Sequence, residues 1–322
     1  MHDDVVGKVG RQKDDFVIEN KRINVYVTGS SSKLLSSEYS TVLSGRHLDI
    51  KVSPLSFIEY LNFKGIDIKS ELDMVEKKHQ IKRAFSEYLK WGGFPKIALL
   101  KEKDRRELLE TYFRDIVIKD IVIRHKIKEI EKLEDIAKYY ITNISTLQSF
   151  NSIKNILKLN LDTVERFSEY LSSVYLIDFV RKFSYSKKEQ ILNPRKVYCS
   201  DTGLRNSVGF VFSEDIGRLM ENIVFNELKR KGLEIYYWKK NREADFIVKK
   251  NGLIGVIQVC SNIENPETKE REIKGLIEAC TSLKLKEGLI ITEDFSGQET
   301  YENIKISYVP IWKWLLNNKG KE

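Results

Sequence analysis

The chain has 322 residues, 41% hydrophobic and 11% aromatic, a globular composition that excludes a disordered chain. Its formal charge of +8 permits a polyanionic partner without requiring one, because 32% charged residues of both signs is also usual in thermophile proteins. No apolar run approaches the roughly 20 residues that cross a bilayer, and the opening MHDDVVGKVGRQKDD has no signal-peptide core, so a cytoplasmic chain without membrane contact is expected. Cys199, Cys260 and Cys280 are widely spaced, form no Cys-x-x-Cys or Cys/His zinc pattern, and read as reduced, buried side chains.

In chain order, Ile23 to Val27 (INVYV) reads as a buried strand, followed by a turn over Thr28 to Ser31 and a helix to about Leu43. A strand from His47 to Val52 and a helix started by Pro54 come next. From Asp73 to Arg124 apolar residues recur three and four apart, as in helices packed on one another. WGGFPKIALL, with Gly92, Gly93 and Pro95, interrupts them, and KEKDRR (Lys101 to Arg106) reads as a solvated helix start. The segment from Lys132 to about Gly203 holds three helices, LEDIAKYYITNI, SIKNILK and LDTVERFSEYLSSVYLI, with a turn at Leu159 to Asn160 and Asp162 in an N-cap position. Two strand-like runs, DFVRKFSY and KVYCSD, follow, which is the order of a winged helix-turn-helix. Beyond Asp201 come a helix (about Asp215 to Lys231), the strands EIYYWKK, EADFIVKK and LIGVIQVCS, and a helix from Thr268 to Leu283. A strand, GLIITED, and a last strand and helix, ISYVPIWKWLL, complete the chain.

Chemistry-bearing residues gather in this last unit. Glu221 sits on the helix RLMENIVFNEL, Asp245 begins a strand, and Gln258 and Cys260, two apart on the next strand, share a face. Carboxylates so placed are what a metal-dependent nuclease needs to hold magnesium and activate water. Asp245 has a second, purely structural reading, a strand-end carboxylate in a salt bridge with Arg242 or Lys239. In the middle segment, Asp162, Thr163, Arg166 and Tyr170 would face DNA, and Arg181, Lys182, Lys187 and Lys188 would hold phosphates from the wing. Asp162, Glu165 and Glu169 offset Arg166 on that helix, which leaves protein docking open beside DNA contact.

ENIVFNEL, READFIV and IQVCS together resemble the core of the PD-(D/E)XK restriction-endonuclease-like superfamily. The resemblance implies that Glu221 is the helix carboxylate, Asp245 the strand aspartate, and Gln258 with Cys260 the counterpart of Glu-x-Lys. Glutamine offers a cation only an uncharged amide oxygen, cysteine has no ammonium, and neither Lys249 nor Lys250 falls on the lysine position, so the site is a degenerate one. YVTGSSSKLLS, LSGR, SPLSFIEYL and NPRKVYCSDTGLRN, in that order, resemble the prokaryotic AAA-type P-loop ATPases that carry a winged helix and a restriction-endonuclease-like C-terminal domain. By that resemblance Thr28 and Ser30 form the polar sensor facing the γ-phosphate, and Arg46 is an arginine acting on nucleotide in cis or from a neighbour. No GxxxxGK(S/T) and no strand ending in Asp-Glu occurs in the sequence.

The expected architecture is an α/β multidomain one. It comprises a partial P-loop ATPase remnant (1–72), a helical, lid-like region (73–131), a winged helix-turn-helix (132–203) and a PD-(D/E)XK-like domain (204–322). ATP and magnesium are the cofactors of the complete family. For this chain alone no ATP binding or hydrolysis is expected, and magnesium has a candidate ligand in Asp245. DNA, another protein and a second copy of the chain are the candidate partners. Three functions stay open: a shortened ATPase-family protein with nucleic-acid-binding or docking modules, an ATP-independent DNA-binding or docking protein, and a metal-dependent nuclease with a degenerate site.

Overall fold

In the computed structural model, which describes residues 50–210 and 215–317, the first helix is started by a serine and not by a proline. Helix α1 (Phe57–Phe63) follows Ser56, whose hydroxyl accepts from the Glu59 amide while the Glu59 carboxylate accepts from the Ser56 amide at 2.7 Å. This reciprocal capping satisfies two amides that a helix start leaves without partners. Pro54 therefore lies outside the helix, and residues 50–52 are not in a strand. Described residues from Lys51 onward belong to one unit.

The helical stretch consists of α2 (Glu71–Glu76), α3 (Lys78–Trp91), α4 (Pro95–Leu99) and α5 (Glu102–Asp115), the last running on as a π-helix over Ile116–Ile123. Helix α3 buries Ile81, Ala84, Phe85 and Tyr88, spaced three and four apart. Arg105, in the run expected to be solvated, is buried instead. Its Nε donates to the Leu100 carbonyl at 2.9 Å and its guanidinium lies 3.6 Å from Glu87.

Next come α6 (Ile130–Thr142), β1 (Leu147–Gln148), α7 (Phe150–Leu157), α8 (Leu161–Ser173), β2 (Ile177–Lys182), the short α9 (Lys187–Leu192) and β3 (Arg195–Cys199). Ile136, Tyr140, Ile153, Val164, Phe167 and Val197 bring the three longer helices and β3 into one apolar core. Asn160, not Asp162, occupies the cap of α8, and Lys158 in the left-handed region (φ 52°) ends α7.

The remaining elements are α10 (Thr202–Val208), α11 (Ile216–Arg230), β4 (Glu234–Lys239), β5 (Glu243–Lys250) and β6 (Leu253–Cys260). They continue with α12 (Pro266–Ser282), β7 (Glu287–Thr292), β8 (Gly297–Tyr301), β9 (Ile304–Pro310) and α13 (Ile311–Asn317). The described strands all join one nine-stranded sheet in the order β1-β3-β2-β4-β5-β6-β7-β9-β8. Parallel pairing of β2 with β4, Arg181 opposite Tyr236 and Lys182 opposite Tyr237, makes the sheet continuous across residue 203. One core contains Phe246, Ile257 and Val259 of the sheet with residues of α1, α3, α11 and α13; another contains Ile247, Val256 and Cys260 with residues of α12. Gly275 lets α12 approach closely, since a Cβ there would lie 2.2 Å from the Glu243 carbonyl oxygen.

A glycine junction ties the helical stretch to α10. Asp201, 3% exposed, caps α10 by accepting from Gly203 N at 2.8 Å, and its other oxygen accepts from Gly93 N at 2.6 Å. Gly92 must be a glycine twice over: its φ of 74° is left-handed, and a Cβ there would sit 1.9 Å from Asp201 Oδ1.

Candidate functional site

Strand β3 alternates, so Lys196 and Tyr198 lie on one face, and the Tyr198 ring stacks on Phe225 of α11 with centroids 4.2 Å apart. Asn222 fixes the helix against the strand. Its Oδ1 accepts from Cys199 N and its Nδ2 donates to Cys199 O, both at 2.8 Å. With α11 held in this rotation, Glu221 meets β3: Tyr198 Oη donates to Glu221 Oε1 at 2.6 Å and Lys196 Nζ donates to the same oxygen at 3.0 Å.

Lys196 is 1% exposed and its ammonium reaches two further carboxylates, Asp245 Oδ1 at 2.8 Å and Glu243 Oε1 at 2.9 Å, both from the start of β5. Backbone pairing between β5 and β6 runs from Phe246 opposite Ile257 to Lys250 opposite Leu253, and side chains take over beyond Phe246. Asp245 N donates to Gln258 Oε1 at 2.9 Å, and Asp245 Oδ2 accepts from Val259 N at 2.9 Å. The Gln258 amide donates in turn to Glu272 of α12, which also pairs with Arg271 at 2.6 Å.

Protonation here is set by burial and then by the partners. Burial alone would depress Lys196, but Asp245 and Glu221 beside its ammonium hold it well above its ordinary value. Burial, and next the Asp245 charge, push Glu221 up to about 8. Burial would also raise Glu243, yet Lys196 at contact keeps it below the ordinary carboxylate range, whereas burial and then Asp245 raise Glu272. Glu221 and Asp245 thus meet at Lys196 and Gln258 joins Asp245 from β6, while Cys260 packs in the apolar layer under α12 with Ile263 and Leu276. All three cysteines are free and buried. Burial, with Glu272 next, raises the Cys260 thiol to about 11. Neither expected structural partner meets Asp245; Lys239 pairs with Glu243 at 3.2 Å. The sequence reading did not single out Lys196, Tyr198, Glu243 or Glu272. Its available signals were the alternation Lys196-x-Tyr198 in KVYC and Glu243-x-Asp245 in READ, each pair sharing a strand face.

The second candidate surface is the β2–β3 hairpin with α8. Arg181, Lys187 and Lys188 are exposed and Lys182 half-buried, and none of the four pairs with an acidic side chain among the described residues. Some surface lysines elsewhere are matched one helical turn away, as in Lys119–Asp115, Lys138–Glu134 and Lys274–Glu270. Between these cations stands Tyr185, 88% exposed, braced edge-on by Phe183 at 5.5 Å, which in turn packs on Tyr236. On α8 the exposed Arg166 lies over the Phe167 ring, and Tyr170 stacks on His125 at 3.9 Å. Asp162 is exposed and Thr163 half-buried. Thr28, Ser30 and Arg46 lie outside the described residues. No described helix is long and apolar enough to cross a membrane.

Residues 9–61 match a family described as an AAA domain, and 82–215 and 216–314 match two domains of unknown function, DUF8612 and DUF4143. An uncharacterized protein of Methanocaldococcus jannaschii is 36% identical over 94% of this chain and 71% of its own length. One from Haemophilus influenzae is 30% identical over 90% and 70%, and a second from M. jannaschii 23% identical over 94% and 67%. The chain belongs to this family of AAA-like ATPase proteins. No solved structure gives a significant match.

Proposed function

We propose that residues 130–199 act as a winged helix-turn-helix that holds nucleic acid, within an AAA-like ATPase-family chain whose C-terminal sheet is PD-(D/E)XK-like. The observation that carries this reading is the uncompensated charge of the hairpin: Arg181, Lys182, Lys187 and Lys188 have no acidic partner among the described residues. Such cations gain most by neutralising phosphates and releasing counterions. The order of helices and strands from α6 to β3, with β1-β3-β2 as a small antiparallel sheet, supports the winged reading. Glu165 and Glu169 beside Arg166 make α8 a poor partner for phosphates, which leaves the contact to the hairpin. The residues that make this contact lie within 181–188, outside the AAA-matching segment 9–61.

Fluorescence anisotropy of a labelled duplex, titrated against salt, tests the reading. Affinity should fall linearly on a double-logarithmic plot, and Lys187→Ala/Lys188→Ala should reduce the slope by about 2, at ~0.9 per phosphate contact. Binding that is insensitive to salt, or unchanged in the double variant, would remove the hairpin from the interface.

A further inference from the structure

A PD-(D/E)XK-like core implies a divalent cation among Glu221, Asp245 and residue 258, and the side chains in this chain do not fit one. Among the described residues no group of three or more His, Cys, Asp or Glu side chains is arranged to hold a metal ion. The space between the carboxylates is taken by the Lys196 ammonium, at 2.8, 2.9 and 3.0 Å from one oxygen each of Asp245, Glu243 and Glu221. An ammonium has three protons to donate, and three carboxylates receive them.

Further oxygens around that position are also engaged. Asp245 Oδ2 accepts from Val259 N, Glu243 Oε2 accepts from Lys239, and the Gln258 amide oxygen accepts from Asp245 N. Gln258 therefore points its one cation-binding atom at the backbone. A second cation at that position would overlap the buried ammonium and meet direct repulsion from it at low dielectric. We infer that Lys196 is a tethered counterion that stands in the place of the divalent metal. Its single charge is shared among Glu221, Glu243 and Asp245, and no metal binds there while Lys196 is present. The cluster then serves to join β3, α11 and β5, three elements far apart in the sequence. This inference is independent of the nucleic-acid proposal, whose residues lie on the hairpin.

The geometry dictates what removing the ammonium does. Lys196→Ala leaves carboxylate oxygens converging on a vacated position, and a small contraction brings them within the 2.3–2.6 Å usual for calcium-sized ions. The experiment uses the full chain and Mn²⁺ alone, followed by the loss of the free-ion electron paramagnetic resonance signal, with circular dichroism to confirm folding. Wild type should leave the Mn²⁺ signal unchanged. Lys196→Ala, or Lys196→Met if the alanine variant does not fold, should sequester one ion per chain, and adding Asp245→Asn should release it. Two results overturn the inference: Mn²⁺ uptake by wild type that Asp245→Asn abolishes, or a folded Lys196 variant that takes up no ion. Should neither variant fold, the wild-type titration with Asp245→Asn as its control decides.

Discussion

Replacing Asp201 by asparagine removes a buried charge from the junction between α3 and α10, and the effect should depend on pH. Burial raises this carboxyl from its ordinary 3.8 to about 6, against the opposing pull of the Gly93 and Gly203 amides that donate to it. A folded-state value above the unfolded one means that the ionised form is tolerated less well in the folded protein. The stabilisation is complete below about pH 3.8 and is lost as pH rises through about 6. Two units at ~1.4 kcal/mol each give about 3 kcal/mol between those limits. Asparagine titrates nowhere in this range, but it has only one acceptor oxygen for two amides, which adds a cost of ~1–3 kcal/mol that does not vary with pH. Urea denaturation of both proteins at a series of pH values isolates the group, because Glu221, Glu227 and Glu272, also raised by burial, cancel in the difference. Asp201→Asn should gain about 3 kcal/mol relative to wild type between about pH 4 and pH 7. A difference that stays constant, or moves against the variant as pH rises, would show that the two amides hold the carboxylate ionised and would refute the reasoning.

Gly92→Ala should destabilise the fold by at least ~2 kcal/mol, because φ 74°, ψ −165° is an essentially glycine-only conformation and the new Cβ would overlap Asp201; thermal denaturation measures it. Tyr185→Ala should leave thermal stability within about 0.5 kcal/mol of wild type, since the ring is 88% exposed. The same variant should weaken binding of a labelled single strand about tenfold in anisotropy, and that of a duplex much less, because only an unpaired base offers a free face for stacking.

The amphipathic helices were legible in the sequence because their apolar residues recur at the spacing that burial requires. Ile81, Ala84, Phe85 and Tyr88 of α3 and Val164, Phe167 and Leu171 of α8 are buried as that spacing demands. Helix starts were less legible where two candidate caps stand close together. Pro54 and Asp162 are both plausible starts, and the chain uses Ser56 and Asn160. Strands β1 and β8 escaped notice for different reasons: β1 has only two residues, and β8 is an edge strand with almost no buried side chain to set a pattern. Lys196 was hidden by chemistry rather than by length. A lysine in a strand reads as solvated, and its burial is decided by Glu221 and Asp245, 25 and 49 residues away. Glu243 and Glu272 were missed likewise, since each reads locally as an ordinary surface acid.

The position of Lys196 in β3 sets which insertions and deletions the chain can absorb. Residues 183–194 separate β2 from β3, and added or lost residues there would alter the hairpin while leaving both strands paired. Inside β3 a slip of a single residue would turn every side chain to the opposite face. Lys196 and Tyr198 would leave the carboxylates, and Val197 would be pressed among them. Length variation among family members should therefore fall in the hairpin, stopping short of Arg195.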